Sequence, residues 1–154
     1  MSLLPKKEYS PLFDGGIHDI DIDSLETIFL EPFDKKHRRT KLIDDLKKFL
    51  ALIESFGLPT EVWLDGSFAT EKPEPGDVDI ALFMQGSDLK KLSEEDHLRL
   101  GSILSKKEEA KVRYNCDIYF CDPENVNLRS YWRGWFSFTC SEEIKGIPRI
   151  WLNK

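Results

Sequence analysis

The sequence predicts an α/β (α+β) fold in which a small mixed β-sheet is flanked by helices. Three observations predict it: one long segment with apolar residues at helical spacing, several short runs of β-forming residues near Gly or Pro, and short links between them. A chain of 154 residues is large enough for one domain with its own core, and no repeat or linker divides it. We therefore expect a single domain over residues 1–154.

The first third of the chain predicts an arm followed by two helices. Residues 1–22 hold two prolines and a Gly-Gly pair, and they are expected to form an irregular N-terminal arm. Residues 23–26 resemble a capping box and predict a short helix to about Leu30. A longer helix, capped by Asp34, is expected over about 35–56, where apolar residues recur at three- and four-residue steps.

The rest of the chain predicts strands alternating with helices. Strands are expected over 61–64, 77–84, 112–121 and 147–152, and helices over 93–107 and 125–133. Ser93 is the expected cap of the first of these helices, and Gly134 the expected end of the second. Pro148 has no amide proton to donate, so the last strand should lie at an edge or begin near this proline.

Composition narrows the class of protein. The net charge of −6 argues against binding nucleic acid over a broad basic face. No apolar run approaches the ~20 residues that span a bilayer, and residues 1–10 lack the apolar segment of a signal peptide. We expect a cytoplasmic protein that does not bind membranes. The three cysteines are expected to be reduced structural thiols: Cys116, Cys121 and Cys140. The three histidines are expected to be exposed: His18, His37 and His97.

Acidic residues on two predicted strands indicate a metal site. Asp77 and Asp79 are two residues apart, so their side chains should share one face, about 7 Å apart at the backbone. Asp117 is the one acid of a later predicted strand. If that strand lies next to the first, Asp117 comes beside this pair. Hard carboxylates together with substrate phosphates are what Mg²⁺ prefers. The three acids predict a site for two Mg²⁺ ions that serves phosphoryl transfer.

A Gly-Ser turn ten residues before the Asp-x-Asp pair predicts phosphate binding. Gly66 lets the backbone approach a phosphate closely, and Ser67 supplies a hydroxyl donor. Thr70 and Lys72 lie just beyond and are further candidates for phosphate contacts. Asp65 is expected to cap a short helix after the turn, with a ligand role as the alternative.

This pattern resembles the nucleotidyltransferase superfamily typified by DNA polymerase beta, whose hallmark is a Gly-Ser turn, an Asp-x-Asp strand and a third acid on a later strand. The likeness covers about residues 36–121. The strings 63–70 and 145–150 are also similar to a small bacterial group of minimal, single-domain members. The resemblance implies a nucleotidyltransferase fold with a catalytic core over 36–121, Mg²⁺, and a nucleoside triphosphate such as ATP as donor.

The resemblance also implies what the chain lacks. Residues 122–154 form a C-terminal extension too short for the helical domain that holds the acceptor in larger relatives. We expect transfer of a nucleoside monophosphate to a hydroxyl of an acceptor that the sequence leaves open: a small molecule, RNA or protein. Acceptor binding would then fall to the N-terminal arm, the C-terminal segment, a second subunit of a homodimer or a partner protein. By analogy with minimal relatives, a partner would come from a neighbouring gene, in a toxin–antitoxin or phage-defence pair.

Several alternatives stay open. The chain could keep the fold as a non-catalytic binding or antitoxin-like partner, or use Asp-x-Asp as nucleotide-sugar glycosyltransferases do. The basic run 35–39 is expected to be a solvated helix start, with a contact to nucleic acid or an acidic partner as alternative. Lys145 is either a turn lysine or a phosphate contact. The aromatic cluster in 131–138 is expected to form core packing or a subunit interface, with base stacking as the alternative.

Overall fold

The computed structural model describes residues 9–138 and 143–154. The strands are β1 Gly16–Asp19, β2 Thr60–Asp65, β3 Val78–Phe83, β4 Cys116–Cys121 and β5 Gly146–Leu152. The α-helices are α1 Leu25–Phe29, α2 His37–Glu54, α3 Gly86–Leu89, α4 Glu94–Ser105, α5 Lys107–Tyr114 and α6 Val126–Phe136, and 3-10 helices span Ile22–Ser24 and Ser67–Ala69. The predicted α+β class is confirmed.

The five strands form one mixed sheet in the order β1-β5-β2-β3-β4. Strand β2 is antiparallel to both of its neighbours, whereas β1 pairs with β5 and β3 with β4 in parallel. A parallel pair needs a crossover connection, and helices α3, α4 and α5 supply it between β3 and β4. The polypeptide thus returns from β3 to place β4 beside it.

The two faces of the sheet carry different cores. One face packs in a large apolar cluster that includes the stripe of α2, as its spacing predicts: Leu42, Leu46, Phe49, Ile53 and Phe56. The other face carries a smaller cluster built from Trp63, Ala81, Phe83 and the fully buried Phe136 of α6. Because side chains alternate along a strand, the acidic residues two positions from Trp63 and Ala81 lie on this second face.

The segment before β4 is helical, and the prediction of a strand from residue 112 is wrong. Helix α5 continues to Tyr114, and Asn115 ends it in the left-handed conformation, with φ of 54°. Val112 favours strands only where its side chain packs against neighbours, and here the residue is 86% exposed. The predicted helix over 93–107 accordingly ends at Ser105, and Ser93 caps it as expected by accepting a hydrogen bond from the Asp96 amide.

The N-terminal arm is not wholly irregular, which corrects a second prediction. Strand β1 lies within it, and the amide of Leu12 also donates to the Ala69 carbonyl at 3.0 Å. Strand β5 lies between β1 and β2, so the edge position proposed for Pro148 is wrong. The alternative is confirmed: β5 begins two residues before the proline, and its pairing with β2 starts only at Arg149.

Smaller boundary corrections have local causes. The short helix begins earlier than predicted, as a 3-10 turn in which Ser24 Oγ accepts from the Asp21 amide at 3.2 Å. Lys36 occupies the N-cap of α2, so the cap predicted at Asp34 is wrong. Helix α6 continues past Gly134 because Phe136 packs into the smaller core. Cys116 and Cys121 are free, buried thiols on opposite faces, whereas Cys140 lies outside the described residues.

Candidate functional site

Three aspartates form a row across the sheet. Asp79 of β3 is the register partner of both Asp65 of β2 and Asp117 of β4. Register partners in adjacent strands point to the same face, so the three side chains lie side by side. Asp77 comes one residue before β3 instead of inside it, and its charge still acts on Asp79. The structure therefore brings the predicted acids together and adds Asp65.

Asp65 does not cap the short helix after the turn, so that prediction is wrong. The N-cap of the 3-10 helix is Gly66, and no side chain bonds to the cap. The Asp65 carboxylate instead lies 2.7 Å from Lys145 Nζ, and both side chains are buried. Lys145 is accordingly not an exposed turn lysine either.

Gly66 lies directly against the central aspartate. Its φ of +82° is in the region that favours glycine. A Cβ atom at this position would lie 2.9 Å from Asp79 Oδ2 and 3.2 Å from Asp79 Cγ. The turn and the carboxylate row are thus in contact, and only glycine allows that approach.

Replacing Gly66 with alanine tests this contact. We expect Gly66→Ala to lower the free energy of unfolding by about 2–4 kcal/mol, because backbone strain and the clash with Asp79 add. Gly57 is the matched control: its φ is +74°, yet a Cβ would meet no atom within 4 Å. Urea denaturation of Gly57→Ala should show a loss of only about 1–2 kcal/mol. Equal losses in the two variants would contradict the contact.

The other predicted phosphate-binding residues differ in their placement. Ser67 is half-buried, and its carbonyl accepts the hydrogen bond of the turn, whereas its hydroxyl makes no hydrogen bond to the described residues. The Thr70 hydroxyl is used inside the turn, since it donates to the Ser67 carbonyl at 2.7 Å and accepts from the Lys72 amide. Lys72 is half-buried just beyond the turn. The phosphate contacts of all four residues stay predictions, and Ser67 is the side chain best placed for one.

The carboxylate row concentrates negative charge. Burial, followed by the charges of Asp77, Asp65 and Asp117, raises the pKa of Asp79 to about 7, and Lys145 opposes this shift. Burial also raises the pKa of Asp65 to about 6, against the ion pair with Lys145 and a hydrogen bond from the Gly66 backbone. A cation placed among these side chains would therefore be strongly attracted.

This charge makes stability depend on pH. The pKa of Asp79 is about 7 in the folded protein, well above the 3.8 of a free aspartate. Between these two pH values the unfolded state has released this proton and the folded state has not. Stability from this group therefore falls as pH rises from about 4 to about 7. We expect Asp79→Asn to be more stable than the wild type by about 1–3 kcal/mol at pH 8 without metal, and by much less at pH 5.

Urea unfolding at the two pH values, in the presence of a chelator, measures this difference. The exposed Asp44 of α2 offers a control, because Asp44→Asn removes the same charge from a solvent-exposed helix position outside the row. Its stability relative to the wild type should not change between pH 5 and pH 8. An Asp79→Asn advantage that is independent of pH would contradict the charge repulsion.

Lys107 and Tyr119 lie at the Asp117 end of the row. The Tyr119 hydroxyl donates to Asp117 Oδ2 at 2.9 Å, and Lys107 Nζ is 3.6 Å from Asp117 Oδ1. The same ammonium group lies 4.3 Å from the centre of the Tyr119 ring. Lys107 is about half exposed, so it can move away from Asp117 when another cation approaches.

Two arginines at the start of α2 hold the loops of the site. Their positive charge opposes the helix dipole, which indicates a use other than helix stability but does not identify their partners. Arg39 is fully buried and donates to the carbonyls of four residues at 2.7–3.1 Å: Phe29, Phe68, Thr70 and Lys72. Arg38 donates to the carbonyls of Pro75 and Gly76, just before Asp77. The expectation of a solvated basic run is thus wrong for both arginines, although residues 35–37 are exposed.

The side chains of the carboxylate row are of the type that binds magnesium. It consists of carboxylates with excess negative charge, and Mg²⁺ in proteins takes one or two carboxylates and completes its shell with water and phosphate. Within residues 9–138 and 143–154, no group of three His, Cys, Asp or Glu side chains is close enough together to hold a metal ion without other ligands. Asp77, Asp79 and Asp117 are the side chains that would hold the ion.

The aromatic cluster divides between core and surface. Phe136 is fully buried, and Trp132 packs 4.5 Å from the ring of Tyr119. Tyr131 and Trp135 are 57% and 64% exposed. Core packing is therefore confirmed for part of the cluster.

The histidines are also divided. His37 and His97 are exposed as predicted. His18 is half-buried, with Nε2 2.7 Å from the Asp14 carbonyl, so its expected exposure is wrong.

Fold and site together define an α+β protein with a carboxylate row beside a Gly-Ser turn. The chain belongs to a family of unknown function, DUF6932, whose model matches residues 5–151. Searches of curated proteins and of solved structures found no match. Among the described residues, no helix has both the length and the apolar character needed to cross a bilayer.

Proposed function

We propose that this protein is a Mg²⁺-dependent nucleotidyltransferase that moves a nucleoside monophosphate from a triphosphate to an acceptor hydroxyl. The observation that carries the proposal is the contact of the Gly66 turn with Asp79, the central member of the carboxylate row. A phosphate held at the turn would lie next to the acids that hold magnesium. The likeness to polymerase beta-type enzymes supports the same conclusion.

The acids, the turn and the two arginines have separate roles in this proposal. Asp77, Asp79 and Asp117 would hold magnesium, with Asp117 as the ligand nearest the acceptor hydroxyl. When bound, magnesium lowers the pKa of that hydroxyl and neutralises charge on the leaving pyrophosphate. Ser67 donates its free hydroxyl to a phosphate oxygen, and Thr70 shapes the turn through its bond to Ser67. Arg39 and Arg38 hold the two loops in place.

Binding of the four nucleoside triphosphates, measured by calorimetry with Mg²⁺ and then with EDTA, tests the proposal. We expect at least one triphosphate to bind only when Mg²⁺ is present. The same triphosphate, labelled on its α-phosphate, should then label one of several offered acceptors: small alcohols, tRNA, or the product of a neighbouring gene. If none of the four binds with Mg²⁺, the proposal is wrong.

A second candidate is a binding protein without catalysis. It is favoured by apolar side chains on the outer surface of α6, where Val126, Tyr131 and Trp135 are 57–70% exposed. Replacing Tyr131 and Trp135 with serine separates the two candidates. A binding protein would lose its partner in this variant and show no Mg²⁺-dependent triphosphate binding in the wild type.

A further inference from the structure

Lys145 is a buried cation beside the carboxylate row. Its side chain is 10% exposed, and Nζ lies 2.7 Å from Asp65 Oδ1. Asp65 immediately precedes Gly66, the glycine in contact with Asp79. Burial of an ammonium group is costly unless its charge is compensated, so this position indicates a specific use of the charge.

The backbone around Lys145 is fixed on both sides. The Lys145 amide donates to the Ser137 carbonyl at 2.8 Å, and the Gly146 amide donates to the Phe13 carbonyl at 3.0 Å. A Cβ atom at position 146 would lie 2.0 Å from the Asp14 carbonyl oxygen, so only glycine fits there. The ammonium group is therefore presented from a rigid backbone, unlike that of a surface lysine.

The charges of the site explain what this cation can do. Four carboxylates, Asp65, Asp77, Asp79 and Asp117, meet here, whereas a triphosphate is itself strongly negative. The ion pair with Asp65 leaves the ammonium group, which has three donors, with donors for a further acceptor. Lys145 thus supplies positive charge next to the Gly-Ser turn, on the side of the row opposite Lys107 and Asp117.

We propose that Lys145 is the phosphate-binding cation of the site, held by Asp65 beside Gly66-Ser67 so that Nζ donates to a phosphate oxygen of the substrate. This inference rests on the proposed function and deepens it: the ligand at the turn is a polyphosphate chain, recognised through a lysine from the C-terminal segment. Asp65 is then a positioning residue and not a metal ligand.

Calorimetry with two probes, Mg²⁺ alone and inorganic tripolyphosphate with Mg²⁺, tests this role. In Lys145→Met we expect tripolyphosphate to bind at least about tenfold more weakly, because a charge-assisted hydrogen bond is lost. Mg²⁺ alone should bind several-fold more tightly, because a cation beside the four acids has gone. A merely structural role would weaken both. Lys48→Met, which removes an exposed charge of α2, should change neither.

Lys145→Met leaves Asp65 unpaired, so a second variant guards against loss of the fold. Asp65→Asn with Lys145→Met removes both members of the pair and keeps the net charge. It should bind Mg²⁺ alone like the wild type and still bind tripolyphosphate at least about tenfold more weakly. If the wild type binds tripolyphosphate and both variants bind it equally well, the role of Lys145 is overturned and the proposed function stands. If the wild type itself binds no tripolyphosphate, the role of Lys145 is overturned, and binding of the nucleoside triphosphates with Mg²⁺ decides the proposed function separately.

Discussion

Replacing Asp77 and Asp79 together with asparagine is expected to abolish the proposed nucleotide transfer while leaving the protein folded. The rate should fall by at least about a thousandfold, because magnesium held by these carboxylates would supply several kcal/mol of transition-state stabilisation. Release of labelled pyrophosphate from the triphosphate that the wild type binds measures the rate. Wild-type rates in the double variant would contradict the mechanism.

Stability separates this loss from damage to the fold. The charges of Asp77, Asp65 and Asp117 raise the pKa of Asp79, so removing two of the four acids relieves repulsion. The double variant should therefore unfold at a higher urea concentration than the wild type in metal-free buffer at pH 8. If the double variant is more stable and inactive, the loss of activity comes from the missing carboxylates and not from damage to the fold. Asp44→Asn is again the control, and it should keep both activity and stability.

Asp79 and Asp117 of the carboxylate row could be predicted from the sequence because their signals are local, since β-forming residues around each of them indicate a strand whatever its partner. Asp65 was missed as a member of the row, because only the pairing of β2 with β3 places it beside Asp79. Asp77 lies one residue before β3, so strand alternation alone does not fix its side. The same local reasoning failed at residues 107–114. Val112 and Tyr114 favour a strand, but the ion pair of Glu109 with Arg113 and the burial of Ala110 belong to a helix.

Contacts between distant segments could not be predicted in this way. Lys145 meets Asp65 only because β5 returns to lie beside β2. Strand β1 is only four residues long and is stabilised by its pairing with β5. Its own residues show no alternation of apolar and polar side chains that would predict a strand. Arg39 donates its hydrogen bonds to backbone carbonyls. Every residue has such a carbonyl, so the sequence does not indicate which residues are its partners.

Arg39→Met is expected to lower the free energy of unfolding by about 3–5 kcal/mol, more than Gly66→Ala does. Arg39 stays charged at neutral pH, although burial lowers its pKa to about 10. Methionine fills similar space, so the loss comes from polar groups and not from a cavity. Urea denaturation measures it, and Arg133→Met on the exposed surface of α6 should change stability by less than about 0.5 kcal/mol.

Replacing a buried ionic pair with apolar residues is often harmless, because both partners leave together. Arg39 differs, since its acceptors are main-chain carbonyls that no side-chain substitution removes. Three of them, on Phe68, Thr70 and Lys72, belong to the segment that follows the Gly-Ser turn. Arg39→Lys keeps the charge but has fewer donors, so it should recover part of the stability and part of the triphosphate affinity. If Arg39→Met proved as stable as Arg133→Met, these carbonyls would have found other donors, and the arginine would not be what holds the turn beside Asp79.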